Sequence, residues 1–199
     1  MPKIKICGLT RPCSIEAVNI AKPDYIGFVF AESRRKVTPR QASHLRGKLN
    51  ADIIPVGVFV DESIENILPL VREGVIEIIQ LHGIENENYI CELKQHTDKP
   101  IIKAVSVRRK GDVQKWSATA ADFLLLDNAK SGTGQSFNWS LIGDTEKRFF
   151  LAGGLNAENI ANAIVSVAPF GVDVSSGVET DGIKYPEKII EFVRRARHG

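Results

Sequence analysis

Short apolar segments recur along the chain and alternate with segments of helical periodicity. The apolar segments are rich in Ile, Val, Leu and Phe, which favour strands. They occupy residues 4–7, 25–30, 53–58, 75–81, 100–105, 123–127, 148–152 and 171–175. The patterns between them predict helices over 14–21, 39–49, 63–74, 86–95, 156–167 and 185–198. A regular alternation of strand and helix predicts that the strands pair in parallel.

The ends of the predicted strands are evenly spaced, roughly 23–28 residues apart, which is the length of one compact βα unit. Eight such units in 199 residues reach the lower size limit of a (β/α)8 barrel. A doubly wound sheet has about five or six strands. The weakest helical patterns lie at 110–119 and 138–143, in the fifth and sixth units. No Pro/Ser-rich linker interrupts the series, so the sequence predicts an α/β fold with a single (β/α)8 TIM barrel domain over residues 1–199.

Composition and charge disfavour several classes of protein. The formal net charge of +2 is too balanced to indicate a nucleic-acid or membrane-surface partner. No apolar run reaches the roughly 20 residues that span a bilayer, and no signal peptide is evident. The three cysteines form no CxxC pair and the four histidines form no HExxH motif. We therefore expect a cytoplasmic protein without a disulfide framework or a metal site.

In a (β/α)8 barrel the reactive groups lie at the C-terminal ends of the strands and on the loops that follow. Cys7 ends the first predicted strand, in KIKICGLT, and alternation places it on the same face as Lys5. A cysteine at a strand end is commonly a small packing residue. Asp127 ends the sixth predicted strand, where capping a loop or pairing with a lysine is the plainer interpretation. Position alone leaves both alternatives open.

Two glycine-rich turns follow the seventh and eighth predicted strands. Gly153 and Gly154 form the first, and Ser175, Ser176 and Gly177 form the second. Backbone N–H groups in such turns favour an anion, although either turn alone is also typical of a tight connection without a ligand. Barrels of this class commonly hold a phosphate at this place, so the two turns together predict a phosphate site.

Other polar residues are predicted at the same end of the barrel. Arg34 and Arg35 follow the second strand, where a guanidinium can bind a planar carboxylate through two hydrogen bonds. A solvated loop face is the alternative interpretation. Gln80 and His82 share one face at the end of the fourth strand, and His82 is also consistent with a hydrogen-bonded residue of the rim. The glycines of SGTG, 131–134, predict a loop that closes over a ligand.

Seven motifs, in order along almost the full chain, resemble those of the phosphoribosylanthranilate isomerase family. They are KICGLT (5–10), SRRKV (33–37), QLHG (80–83), IKAV (102–105), LLLDNAKSGTGQSFNW (124–139), LAGGLNAENI (151–160) and VDVSSGVE (172–179). The combination of KICG, LLLD and SSGVE is specific. Two positions depart from the family pattern: Lys36 replaces a usual aromatic residue, and Tyr185 replaces a more familiar Asp.

The resemblance implies a (β/α)8 isomerase of tryptophan biosynthesis that needs no cofactor. Its substrate is N-(5-phosphoribosyl)anthranilate and its product is 1-(2-carboxyphenylamino)-1-deoxyribulose 5-phosphate. The resemblance also implies Cys7 as general base, Asp127 as general acid and Arg35 as the anchor of the anthranilate carboxylate. The last two βα loops then bind the phosphate.

The isomerisation requires one protonation state of Asp127 and another of Cys7. An acid must protonate the furanose ring oxygen, so Asp127 must carry a proton at neutral pH. A base must remove the C2′ proton, so Cys7 must ionise, which a cation such as Lys5 would favour. We expect a phosphorylated small-molecule substrate and no nucleic-acid or membrane partner. A closed barrel has no unpaired strand edge, which favours a monomer, with a homodimer as the alternative.

Three other functions are weighed against this one. A histidine-pathway isomerase acting on a related aminoaldose resembles this family but tends to carry Asp where Cys7 stands. Cys7 argues equally against a broad-specificity enzyme of both pathways. A barrel that binds a phosphorylated ligand without converting it belongs to a different class, and the presence of both Cys7 and Asp127 argues against it.

Overall fold

The computed structural model of the protein describes residues 1–128 and 138–198. Its eight parallel strands are β1 (Lys3–Cys7), β2 (Tyr25–Val29), β3 (Ile54–Phe59), β4 (Ile78–Leu81), β5 (Ile101–Val107), β6 (Phe123–Asn128), β7 (Phe149–Leu151) and β8 (Gly171–Val174). They form a closed barrel in chain order, and β8 pairs with β1, with Asp173 opposite Lys5. The predicted (β/α)8 TIM barrel is confirmed.

Helices surround this barrel. They are α1 (Pro12–Ala21), α2 (Pro39–Arg46), α3 (Ile64–Arg72), α4 (Glu87–His96), α5 (Ile160–Val167) and α6 (Pro186–His198). Short 3-10 helices, Gln114–Trp116 after β5 and Trp139–Leu141 after β6, stand where the helical patterns were weakest. At the start of α2, Thr38 and Gln41 form a reciprocal capping box. Pro39 is the first residue of the helix, a position that favours proline.

Strand β4 and helix α5 begin several residues later than the sequence patterns predicted. Strand β4 begins at Ile78, because the N–H groups of Val75 and Ile76 donate to the Leu70 carbonyl and so close the end of α3. Helix α5 begins at Ile160 rather than at 156. There the Asn156 side chain accepts two backbone N–H groups, from residues 158 and 159, and forms a turn in place of the first helical turn.

A small antiparallel hairpin, which the sequence analysis did not predict, follows β8. Its strands are β9 (Glu179–Thr180) and β10 (Ile183–Lys184), and Glu179 lies opposite Lys184. The connecting Asp181 and Gly182 both have positive φ, 51° and 77°, which is typical of a two-residue hairpin turn. The hairpin therefore places Glu179 and Lys184 side by side just beyond the end of β8.

The barrel interior combines an apolar layer with polar side chains. The apolar layer comprises Tyr25, Val56, Ile78, Ile102, Leu125, Phe150 and Ala152. Ile4 and Ile6 belong instead to the larger outer core between the strands and the helices. Alternation along β1 therefore points Lys5 and Cys7 into the barrel. The inward side chains at the strand ends provide the chemistry of the barrel mouth.

Candidate active site

Cys7 lies at the C-terminal end of β1, with only 8% of the residue exposed. Its partner in the register of β2 is Gly27. A Cβ atom at Gly27 would lie 2.7 Å from the Cys7 sulfur, well inside van der Waals contact. The glycine in the middle of β2 therefore provides the space that the thiol occupies.

The charges around Cys7 compete with its burial. Burial raises the pKa of the Cys7 thiol above its ordinary value, although Lys5 and Lys184 favour the thiolate. Lys5 is fully buried, and its Nζ donates to Asp173 Oδ1 at 2.8 Å. Burial would lower the pKa of Lys5, but the Asp173 carboxylate and Cys7 outweigh it and raise that pKa. Lys5 thus stays cationic next to a thiol that is protonated in the resting protein.

Asp127 lies at the end of β6 and is buried, with 8% of the residue exposed. Its Oδ1 accepts a hydrogen bond from the Asn128 backbone N–H at 2.7 Å. Its Oδ2 lies 3.6 Å from His82 Nε2. A Cβ atom at Gly153, where φ is +82°, would lie 2.9 Å from Oδ1. The first glycine-rich turn therefore passes directly against this carboxyl group.

Gln80 and His82 support Asp127 from β4. Gln80 is buried, and its amide nitrogen lies 2.9 Å from His82 Nδ1. Its Oε1 has no hydrogen-bond partner among the described residues. The orientation of the amide fixes the His82 tautomer: an amide N–H that donates to Nδ1 leaves the ring proton on Nε2, and the reversed amide leaves it on Nδ1.

Both candidate carboxylate anchors meet an internal carboxylate, Glu179. Arg35 Nε and Nη2 donate to the two Glu179 oxygens at 2.6 and 2.8 Å. Arg34 Nη2 donates to Glu179 Oε2 at 2.8 Å. The Arg35 side chain is 14% exposed and that of Arg34 is 55% exposed, so Arg35 is the one built into the barrel mouth. Lys36, the residue that departs from the family pattern, pairs with Glu32.

The two glycine-rich turns are packed against each other. A Cβ atom at Gly177 would lie 1.9 Å from the Leu155 carbonyl oxygen, so only glycine permits this approach. Gly153 and Gly154 both adopt positive φ, 82° and 68°. The backbones of the two predicted phosphate turns therefore converge at one edge of the barrel mouth, and Ser176 begins a short 3-10 helix there, Ser176–Val178.

Ser175 is engaged within the protein. Its hydroxyl donates to the Cys7 carbonyl at 3.1 Å and accepts from Lys184 Nζ at 3.2 Å. This hydroxyl therefore links the second glycine-rich turn to the end of β1. The assignment of Ser175, with Ser176 and the three glycines, to phosphate binding stays a prediction.

A cavity of about 620 Å³ opens between the ends of β4, β5 and β6. Its lining includes His82, Asp127, Trp116 and Arg108. Asp112 shapes the basic loop after β5 by accepting the backbone N–H groups of residues 108 and 109. The sequence analysis did not single out this loop, because a short segment with weak helical periodicity gives no signal of a cavity.

One part of the predicted site, the SGTG loop at 131–134, lies outside the described residues. Across residues 1–128 and 138–198, no group of three or more His, Cys, Asp and Glu side chains is placed to hold a metal ion. None of the helices in those residues is both long enough and apolar enough to cross a membrane.

The closed eight-stranded barrel, with polar side chains at the C-terminal ends of its strands, is the architecture of a (β/α)8-barrel enzyme. Cys7 and Asp127 end two different strands of one closed barrel, and cationic side chains and glycine turns lie around them. The chain belongs to the family described as N-(5′-phosphoribosyl)anthranilate (PRA) isomerase, whose model matches residues 4–195. The predicted family is thereby confirmed.

Individual relatives agree over the full length. The N-(5′-phosphoribosyl)anthranilate isomerase of Endomicrobium trichonymphae is 49% identical over 201 residues, covering 99% of each chain. The crystal structure of phosphoribosyl anthranilate isomerase from Thermotoga maritima is 35% identical, with a TM-score of 0.89 and 99% of each chain covered. A phosphoribosyl anthranilate isomerase in complex with reduced 1-(o-carboxyphenylamino)-1-deoxyribulose 5-phosphate is 34% identical, with a TM-score of 0.86 and the same coverage.

Proposed function

We propose that this protein catalyses the Amadori rearrangement of N-(5-phosphoribosyl)anthranilate to 1-(2-carboxyphenylamino)-1-deoxyribulose 5-phosphate in tryptophan biosynthesis. The observation that carries the proposal is the placement of Cys7 and Asp127 at the mouth of one barrel, in a chain of this isomerase family. The related isomerase bound to a reduced form of the product supports the class of ligand.

Asp127 acts first, as the general acid. It donates its proton to the furanose ring oxygen, the bond from that oxygen to C1′ breaks, and the nitrogen lone pair forms an iminium. His82 lies beside the acid, with its Nε2 3.6 Å from Asp127 Oδ2.

Cys7 acts second, as the general base. Its thiolate removes the C2′ proton, and the electrons of the C–H bond form a C1′–C2′ double bond while the iminium nitrogen becomes neutral. The resulting enolamine tautomerises to the ketone. Because burial raises the pKa of the thiol, the adjacent Lys5 and Lys184 are needed to stabilise the thiolate.

The two ends of the substrate are held apart in this proposal. Arg35 binds the anthranilate carboxylate, and the turns of Gly153, Gly154 and residues 175–177 bind the phosphate. Fixing both ends holds the sugar between acid and base and supplies the proximity contribution to catalysis. No cofactor is needed, because each step is a proton transfer or its tautomeric consequence.

We propose that the protein works in the cytoplasm as a monomer of one domain. Its three cysteines are all unpaired, as in a reducing compartment. The barrel closes on itself and so leaves none of its eight strands with a free edge.

The test is turnover of phosphoribosylanthranilate made in situ, followed by loss of its fluorescence. We expect Cys7→Ala and Asp127→Asn each to lower kcat by at least ~10²-fold, while inorganic phosphate still binds. Cys13→Ala, the same change at an exposed cysteine, is the matched control and keeps full activity. An inactive wild type that binds a phosphorylated ligand tightly would indicate a non-catalytic barrel, and activity that survives Cys7→Ala would reject the base.

A further inference from the structure

Glu179, to which the proposed chemistry assigns no role, is the centre of a charge cluster at the barrel mouth. Its side chain is 4% exposed and accepts hydrogen bonds from Arg34, Arg35 and Lys184. Burial would raise the pKa of Glu179, but the hydrogen bonds from Arg35 and Lys184 outweigh it and lower that pKa. A carboxylate whose ionised form is favoured therefore lies against Arg35, the predicted substrate anchor.

Hydrogen bonds connect this carboxylate to the general base. Lys184 Nζ, on a side chain 2% exposed, donates to Glu179 and also to the Ser175 carbonyl and hydroxyl at 3.1 and 3.2 Å. The Ser175 hydroxyl in turn donates to the Cys7 carbonyl at 3.1 Å. Arg35, the second glycine-rich turn and the end of β1 thus belong to one connected network.

The β9–β10 hairpin fixes the position of Glu179. Lys184 lies opposite Glu179 in the antiparallel pair, and Lys188 Nζ donates to the Glu179 carbonyl at 2.8 Å. A Cβ atom at Gly182 would lie 2.9 Å from Arg34 Nη1, so the turn of the hairpin packs against Arg34. A buried ion cluster stabilises a fold little more than apolar side chains of similar volume would. The effect of this cluster is therefore on the positions of the side chains that it holds.

The geometry of Arg35 determines which part of its guanidinium remains for a ligand. Glu179 takes the Nε–H and one N–H of Nη2, which form the side edge of the guanidinium plane. Within residues 1–128 and 138–198, the two N–H groups of Nη1 and the second one of Nη2 have no protein partner, and one N–H of each nitrogen forms the end edge. This end edge is itself a fork that matches a second carboxylate.

We propose that Glu179 is a positioning residue for Arg35, which bridges two carboxylates: Glu179 at its side edge and the substrate's anthranilate carboxylate at its end edge. The proposal rests on the proposed function, because the second carboxylate is that of the substrate. Without Glu179, Arg35 keeps its charge and still attracts the substrate. The substrate carboxylate then takes the vacated side edge, and the sugar is displaced from Cys7 and Asp127.

The test compares steady-state kinetics of the wild type, Glu179→Gln, Glu179→Asp and Glu77→Gln. Glu77 also pairs with an arginine, Arg46, but at the start of β4, away from the barrel mouth, so its variant is the matched control. We expect Glu179→Gln to lower kcat at least about tenfold while KM stays within about threefold, because misplacement costs rate more than affinity. The dissociation constant of inorganic phosphate stays within about twofold.

Glu179→Asp keeps the charge on a side chain one methylene shorter, and we expect it to restore part of kcat. If Glu179→Gln does not fold, Glu179→Asp carries the test, with an expected loss in kcat of about threefold or more and unchanged phosphate affinity. A kcat within twofold of wild type in the folded variant overturns the proposal. So does a rise in KM alone, or a parallel loss of kcat and phosphate affinity. Absence of turnover in the wild type would refute the proposed function instead.

Discussion

Replacing Gly27 by Ala tests whether the space beside Cys7 is essential to the chemistry. The added Cβ would lie 2.7 Å from the Cys7 sulfur and 3.2 Å from the Cys7 Cα. Optimal contact between non-bonded heavy atoms lies at about 3.5–4.0 Å, so the sulfur must move by about 1 Å or the strands must separate. Gly27 lies within β2 and pairs with both neighbouring strands, which resist separation.

The structure sets the size of the expected effect. Overpacking a well-packed core costs about 1–3 kcal/mol of unfolding free energy. A shift of about 1 Å in a reacting group costs about 10²-fold in rate, which corresponds to about 2.7 kcal/mol in activation free energy. We therefore expect Gly27→Ala to fold with reduced stability and to lose about 10²-fold in kcat.

Gly57→Ala is the matched control for this prediction. Gly57 also lies within a barrel strand, β3, and a Cβ atom there would lie 2.6 Å from Ile76 Cδ1 and 2.8 Å from Phe59 Cε2. It overpacks the outer core instead of the thiol. Urea unfolding and the fluorescence assay should show a similar loss of stability in both variants and a loss of kcat only in Gly27→Ala. Equal kcat values in the two variants would refute the reasoning.

Three further predictions concern other parts of the structure. Gly177→Ala, with a Cβ only 1.9 Å from the Leu155 carbonyl oxygen, should separate the two glycine turns and weaken inorganic phosphate binding by about tenfold or more, measured by calorimetry. Lys103→Met leaves the buried Glu85 without its partner at 2.6 Å and should lower the unfolding free energy in urea by about 3–5 kcal/mol. Because burial raises the pKa of Cys7, kcat/KM should increase with pH and still be rising above pH ~8.5, the ordinary value for a thiol.

Each of these has a control and a contradicting result. Gly47→Ala is the control for Gly177→Ala, because the nearest atom lies 3.6 Å from the added Cβ, and it should leave phosphate binding unchanged. Equal phosphate affinities in the two glycine variants would contradict the prediction for Gly177. Lys94→Met is the control for Lys103→Met. It breaks a partly exposed ion pair with Asp122 and should lower the unfolding free energy by about 1 kcal/mol or less. An equal loss of unfolding free energy in Lys103→Met would contradict the prediction for the buried pair. A kcat/KM that is flat or falls from pH 7 to 9 would contradict the third.

The barrel could be predicted because it depends on local patterns. Even spacing of apolar segments predicts the βα units, and the rule for strand ends selects a short set of mouth positions that includes Cys7 and Asp127. The roles of these two residues as base and acid stay predictions, which the family resemblance implies. The weakest helical patterns, after β5 and β6, coincide with the short 3-10 helices Gln114–Trp116 and Trp139–Leu141. Alternation along β1 predicted that Lys5 shares a face with Cys7, and the structure shows that this face points into the barrel.

The charge network could not be predicted in the same way, because its partners are distant in sequence. Arg35 and Glu179 are separated by 144 residues, and Lys5 and Asp173 by 168. Two local signals were nevertheless available. The Asp-Gly dipeptide at 181–182 is typical of a hairpin turn, and it would have placed residues 179 and 184 opposite each other. Inward alternation along β8 would likewise have assigned Asp173 to the barrel interior.

The proposed mechanism depends on removal of the C2′ proton of the substrate by the Cys7 thiolate. The most direct measurement is the single-turnover rate with protium and with deuterium at C2′, in the wild type and in Cys7→Ala. We expect a primary isotope effect in the wild type and a rate at least ~10²-fold lower in Cys7→Ala. Equal rates for the two isotopes in the wild type, with undiminished turnover in Cys7→Ala, would contradict it.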